Sequence, residues 1–310
     1  MATYTIEPER KNLHGTFSRD YPPVLTIDSG DTVCFRTLAT GWWLEMPTAP
    51  NVGKRFEPRD PERDKGHSLC GPIAIRGAEP GMTLEIEMNA IQPANWGWTS
   101  YGSWRSDLNK RLGVSEEAQL MKWKLDTRAM IGENQFGHKV ALRPFMGVMG
   151  MPPAEPGIHS TVPPRNCGGN IDCKELVTGT KLFLPISVPG ALFSTGDGHA
   201  TQGDGEVCIT AIECPMDRAE LTFRVRDDLK LKTPRAWTPE AWITLGFDRD
   251  LDEAMAIALD AMLDLISENY KVNRTDALAL ASVAVDLRIT QVVNDVRGVH
   301  AVLPHHAIQQ

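Results

Sequence analysis

The stretch Ile73-Ala-Ile-Arg-Gly-Ala-Glu-Pro-Gly-Met-Thr-Leu-Glu-Ile-Glu-Met88 decides the fold class. An apolar run stops at Gly-Ala-Glu-Pro-Gly, and then Leu84, Ile86 and Met88 alternate with Glu85 and Glu87. Such alternation marks a half-buried strand, and a glycine- and proline-bearing break between two runs marks a turn. The same grammar recurs on both sides. Val24-Leu-Thr-Ile-Asp-Ser-Gly-Asp-Thr-Val-Cys-Phe-Arg36 reads as strand, Ser-Gly turn and strand, with Asp28 and Asp31 as turn residues. Leu182-Phe-Leu-Pro-Ile-Ser-Val188, Val207-Cys-Ile-Thr-Ala-Ile-Glu213 and Leu221-Thr-Phe-Arg-Val225 read as further strands.

Two intervals look like long loops, a length that in a compact domain usually carries function. The first, 92–107, holds Trp96, Trp98 and Trp104, which could line an apolar pocket, fill a core or form a subunit contact. The second, 149–169, carries Met151-Pro-Pro-Ala-Glu-Pro-Gly157 and Val162-Pro-Pro-Arg165 and is expected to run extended over the surface.

The pattern changes after residue 248. Asp250 with Glu253 three residues on forms a helix start, and Leu251, Met255, Leu259, Met262 and Ile266 follow at helical spacing. A second helix is predicted from near Thr275 through Leu278, Leu280 and Val283 towards Asp286, after a connection over 269–274. The predicted fold is therefore mainly β with a C-terminal α-hairpin (α+β). The 310 residues are expected to form a single unit, with a β-rich core over 1–247 and a helical hairpin and closing segment over 248–310.

A formal net charge of −8 argues against a nucleic-acid partner, which would call for a basic face. No uninterrupted apolar stretch is long enough for a membrane span. The first residues lack the apolar run of a signal peptide, and the six cysteines are scattered without a C-x-x-C pair. The expectation is a cytoplasmic protein with reduced thiols.

The chemistry concentrates in Gly196-Asp-Gly-His-Ala-Thr-Gln-Gly-Asp-Gly-Glu206, read as a turn or loop at a sheet end. Carboxylates and imidazole are the ligand types that zinc and related divalent ions take. If the backbone there is extended, Asp197 and His199 project from one face; the alternative is an Asp-Gly turn with a surface histidine. Gly168-Gly169 followed by Asn170 and Asp172 could cradle a substrate or form a plain turn with capping side chains. His67, before Gly71-Pro72, is either a satisfied loop residue or a ligand. Asp286 falls at the apparent end of a helix, where its charge opposes the dipole, and so calls for a partner such as Arg288 or a metal.

In their order, these motifs resemble the acetamidase/formamidase family over nearly the whole chain. The resemblance is carried by Gly71-Pro-Ile-Ala-Ile-Arg-Gly-Ala-Glu-Pro-Gly81, by Gly168-Gly-Asn-Ile-Asp172, by the run from Leu184-Pro-Ile-Ser-Val-Pro-Gly190 through Glu206, and by Asp286-Leu-Arg-Ile-Thr-Gln-Val-Val293. It implies a β-sandwich-like fold with a C-terminal helical pair, and hydrolysis of a small amide such as formamide or acetamide to carboxylate and ammonia. It also implies a divalent metal, usually zinc. On that basis Asp197, His199 and His67 are the expected metal ligands, and Glu206 or Asp204 the general base. Asn170, Gln202 and Asp172 are the expected substrate contacts. Similar proteins open cyclic amides (γ-lactams), which leaves that substrate as an alternative. A cysteine amidase with Cys167 as nucleophile, assisted by Lys174 or Glu175, is another, and a non-catalytic small-molecule binding protein a third. A homo-oligomer, dimer or higher, is expected from the tryptophan-rich loop and the apolar helical hairpin.

Overall fold

Two β-sheets share one apolar core in the computed structural model, which describes residues 1–102, 106–115 and 117–309. The deciding stretch becomes strands Leu69–Ile75 and Thr83–Pro93. They enter different sheets, so the turn between them is a crossover rather than a hairpin. Thr83–Pro93 pairs with Met216–Arg226 and Lys181–Pro185 in a nine-stranded sheet, with Leu84, Ile86 and Met88 fully buried. Glu85 departs from the simple alternation and is itself buried. Lys181, Arg224 and Arg226 make this tolerable by converging on its carboxylate at 3.6, 3.4 and 2.7 Å. Across the core, Phe193 of the second sheet packs edge-on against Phe223 of the first, with ring centroids 5.0 Å apart.

The second sheet has eleven strands, and Phe193–His199 runs through its middle. That strand pairs on one side with Phe145–Gly150, and on the other with Leu69–Ile75 and then the short strand Glu213–Cys214. Two expectations change here. The segment 207–212 is turn and irregular chain, so that strand shrinks to Glu213–Cys214. The supposed loop over 92–107 is largely strand, because Thr83–Pro93 runs on into it and Trp96–Tyr101 follows; Trp104 lies outside the described residues. The interval 149–169 does run irregularly, apart from the two-residue strand His159–Ser160 and the ends of its flanking strands.

The C-terminal helices are Leu251–Tyr270 and Arg274–Ala284. Asp250 caps the first, its side chain accepting from the N–H groups of Asp252 and Glu253. Met262 and Ile266 of the expected series are buried, but in the first half of the helix Ala254 and Ala258 take the buried positions in place of Leu251, Met255 and Leu259. The cause is close approach: a Cβ on Gly246 of the underlying strand would lie 2.2 Å from the Ala254 carbonyl oxygen. The contact is with the helix backbone at Ala254 and Ala258, and Leu251, Met255 and Leu259 flank it half-buried. In the second helix Ala277 and Ala281 face inward, while Leu278 and Val283 are exposed. The chain then returns to the nine-stranded sheet as the hairpin Asp286–Asn294 and Val296–Pro304. Asp286 is the first residue of a strand, exposed and 3.6 Å from Arg288, which removes the case for a metal there. Among the described residues no helix is long and apolar enough to cross a membrane.

Candidate active site

Asp197 and His199 lie on the central strand, where the sequence suggests a turn or loop; the left-handed φ of Asp197 interrupts the regular alternation there, and the two side chains still meet. The strand pairing brings Glu213 directly beside His199. His199 Nε2 lies 3.4 Å from Asp197 Oδ2 and 3.3 Å from Glu213 Oε2. On the neighbouring strand Gly147 leaves the space in front of them open. A Cβ there would fall 2.8 Å from both Asp172 Oδ1 and Asp197 Oδ2, and 2.9 Å from His199 Cε1. His67 approaches from a loop, with Nε2 at 3.9 Å from Asp197 Oδ2 and Nδ1 at 2.8 Å from the Thr161 hydroxyl.

The far nitrogen of His199 is committed. Its Nδ1–H donates to Gln202 Oε1 at 3.0 Å, while Gln202 Nε2 donates to the Asp172 carbonyl at 2.8 Å. This turns Nε2 towards the carboxylates of Asp197 and Glu213. Asp172 accepts from Asn294 Nδ2 at 2.6 Å through Oδ2. Asn170 donates to the Val162 carbonyl at 3.2 Å, which leaves its Oδ1 as a free acceptor. Five buried polar atoms of the cluster lack any hydrogen-bond partner: Asp172 Oδ1, Asp197 Oδ1, His199 Nε2, Glu206 Oε2 and Glu213 Oε2. Buried polar atoms are normally satisfied, so such a concentration marks a place built for a ligand.

The electrostatics agree. Four carboxylates (Asp172, Asp197, Glu206 and Glu213) are buried around one buried histidine. Burial pushes Glu213 up to about 7 and Asp172 up to about 6, in each case against the pull of His199. Burial also raises Glu206 well above the usual range, and the Asp172 charge adds to it. For Asp197 burial acts upward too, but His67 and then His199 outweigh it and hold that carboxyl well below its usual value. Burial disfavours a charge on His199, yet Glu213 and Asp197 overcome it and raise that imidazole well above normal. The backbone is strained in the same place, since Asp172, Asp197, Glu206 and Ile209 all have positive φ.

The expected site residues are therefore distributed unevenly. Asp197, His199, Asp172, Glu206 and, at the rim, His67 come together. Gln202 is spent on holding His199 rather than reaching into the cavity. Asp204 points elsewhere, pairing with Lys174 at 2.6 Å. Lys174 also approaches Glu175, part of a second buried network in which Glu175 contacts Cys173, Arg288 and His300 at 3.4, 3.4 and 3.5 Å. Cys167 cannot serve as a nucleophile in this arrangement. Its thiol is buried in the core, donates to the Met151 carbonyl at 3.3 Å, and is pushed up by burial. Glu213, Asn294 and Gly147 were not foreseen. None has a motif of its own, and each joins the site only through strand register or long-range packing.

Asp197, Glu206, Glu213 and His67 line a cavity of about 420 Å³. A hollow of about 430 Å³ near helix Leu251–Tyr270 contains none of these groups. Oxygen and imidazole donors at the end of a largely apolar cavity equip a protein for hydrolysis. The Acetamidase/Formamidase family model matches residues 2–160 and 154–309. A putative formamidase of Schizosaccharomyces pombe is 29% identical over 287 residues, covering 73% of this chain and 68% of that protein. An acetamidase of Mycolicibacterium smegmatis is 26% identical, and the alignment spans 63% of this chain and 61% of the relative. The crystal structure of an acetamidase from Yersinia enterocolitica superposes with a TM-score of 0.85 at 26% identity, covering 99% of this chain and 93% of that one. The chain belongs to the Acetamidase/Formamidase family, and is an amidase.

Proposed function

We propose that the chain hydrolyses the C–N bond of a small linear amide to carboxylate and ammonia, with a divalent cation, zinc by preference, held by the buried carboxylate and imidazole cluster. One observation carries the reading: five unpartnered buried polar atoms belong to one cluster, in which Asp197, His199 and Glu213 offer ligand atoms within 4.8 Å of one another. Asp197, His199 through Nε2, and Glu213 would hold the ion, with His67 the nearest further donor. When bound, such an ion polarises the carbonyl and lowers the pKa of water.

The remaining steps fall to this chain's own groups. Asn170 Oδ1, an acceptor, suits the amide N–H rather than a developing oxyanion. Glu206, buried in the cluster and lining the cavity, takes a proton from the attacking water and passes it to the departing nitrogen. Hydroxide adds to the carbonyl carbon, the C–N bond breaks, and ammonia leaves with that proton. Gln202 and Asn294 hold His199 and Asp172 in position.

All six cysteines are free thiols, which supports a reducing, cytoplasmic setting. The edge strand Asp286–Asn294, with Leu287 and Ile289 exposed, supports a homo-oligomer, to be checked by sedimentation. The decisive experiment is elemental analysis of the purified protein, followed by ammonia release from formamide, acetamide and a γ-lactam with and without chelator. Full activity in metal-free protein would overturn the cation. Turnover of the lactam alone would overturn the linear amide.

A further inference from the structure

The cavity above the carboxylate cluster is larger than the smallest amides require. Its roughly 420 Å³ falls in the ~300–1,000 Å³ range of pockets that enclose drug-sized ligands. Formamide or acetamide would occupy only the polar end, beside Asp197, Glu206 and Glu213. The rest of the lining is mostly apolar, with Trp43, Trp98, Leu120 and Val293 among it, and includes the hydroxyls of Thr40, Ser100 and Thr210 and the Asn51 amide. Among the described residues no lysine or arginine lines the cavity.

The aromatic wall is braced by its neighbours. Trp43 is bridged to Ala39 and Arg55 through the backbone, and the Arg55 guanidinium lies 4.1 Å from the centre of its ring. Trp98 belongs to a strand of the second sheet and packs in one cluster with Trp43 and Ala39. A pre-organised aromatic wall favours a flat apolar group, which gains contact without the cost of ordering the pocket. A carboxylate on the acyl arm would lose its water and find no lysine or arginine among the described lining residues to pair with.

We infer that the preferred substrate is an uncharged primary amide whose acyl arm is aryl-sized and apolar, lying against Trp43 and Trp98 with its carboxamide on the carboxylate cluster. This inference rests on the amidase reading above.

The test is ammonia release by the full-length, metal-loaded protein from acetamide, butyramide, phenylacetamide and succinamate. We expect kcat/KM for phenylacetamide to exceed that for acetamide by at least ~10-fold, and succinamate to be turned over more slowly than butyramide. Leu120→Trp, which narrows the apolar end, should lower the phenylacetamide-to-acetamide ratio by at least about tenfold. Acetamide turned over as well as phenylacetamide by the wild-type protein would overturn the inference and leave the amidase reading intact. No ammonia from any of the four would instead overturn the amidase reading, and the inference with it.

Discussion

His199 Nδ1 donates to Gln202 Oε1 at 3.0 Å, and this one bond determines which nitrogen of the buried imidazole faces the carboxylates. Gln202 is locked in turn, because its amide nitrogen donates to the Asp172 carbonyl. A ligating histidine held through its far nitrogen is the arrangement that fixes tautomer and ring orientation at metal sites. We expect Gln202→Leu to weaken divalent-metal affinity by about 10–100-fold, and Gln202→Glu, which can still accept, to recover much of it. Metal titration followed by calorimetry checks this; unchanged affinity in Gln202→Leu would count against the role.

Gly147 should tolerate no side chain. Its φ is not in the left-handed region, so alanine is conformationally permitted, but the new Cβ would meet two carboxylate oxygens at 2.8 Å. Gly147→Ala is expected to abolish metal uptake and amide turnover, at an overpacking cost of about 1–3 kcal/mol. Elemental analysis and a denaturation curve separate loss of the site from loss of the fold.

Glu206 and Asp204 are close in sequence and far apart in role. Glu206 is buried within the cluster, whereas Asp204 is partly exposed and bound to Lys174. Glu206→Gln should lower kcat by about 10²–10⁴-fold, and Asp204→Asn should leave kcat within about threefold, since a partly exposed ion pair contributes little. Equal losses in the two variants would contradict this assignment.

Cys167→Ser should retain activity, because the thiol only donates to the Met151 carbonyl and a hydroxyl can do the same. Loss of turnover with the fold intact would revive a cysteine mechanism.

The metal-free protein should show an unusual pH dependence of stability. Burial raises Glu213 to about 7 and Asp172 to about 6 in the folded state, above their ordinary carboxylate values. A raised folded-state pKa stabilises the fold below the unfolded value, and that contribution is lost as pH rises through the folded one. The Tm of chelated protein should therefore fall between pH ~5 and ~8, and a bound divalent cation should flatten the slope. A Tm that rises with pH over this window in the chelated protein would be the contrary result.

Much of the architecture was legible in the sequence. The alternation over 84–88, the cap at Asp250 and the helical spacing beyond it are local signals, and local signals survive without tertiary information. They misled where packing overrode them. The first half of helix Leu251–Tyr270 buries Ala254 and Ala258 where Gly246 lets the two backbones meet, so Leu251, Met255 and Leu259 are only half-buried there. Similarly, 207–212 has a strand-like composition but is held as a turn.

The site divides along the same line. Asp197 and His199 could be named from sequence by residue type, although their segment reads there as a turn or loop and becomes the strand Phe193–His199 only in the fold. Glu213, Asn294, Asp172 and Gly147 could not be assembled that way. Strand pairing places Glu213 beside His199, the hairpin after the helices brings Asn294 to Asp172, and a neighbouring strand supplies the gap at Gly147. Sequence alone determined the residue types and the short-range geometry. Tertiary structure decided which buried charges face one another, because burial and Coulomb interaction depend on distances in space rather than along the chain.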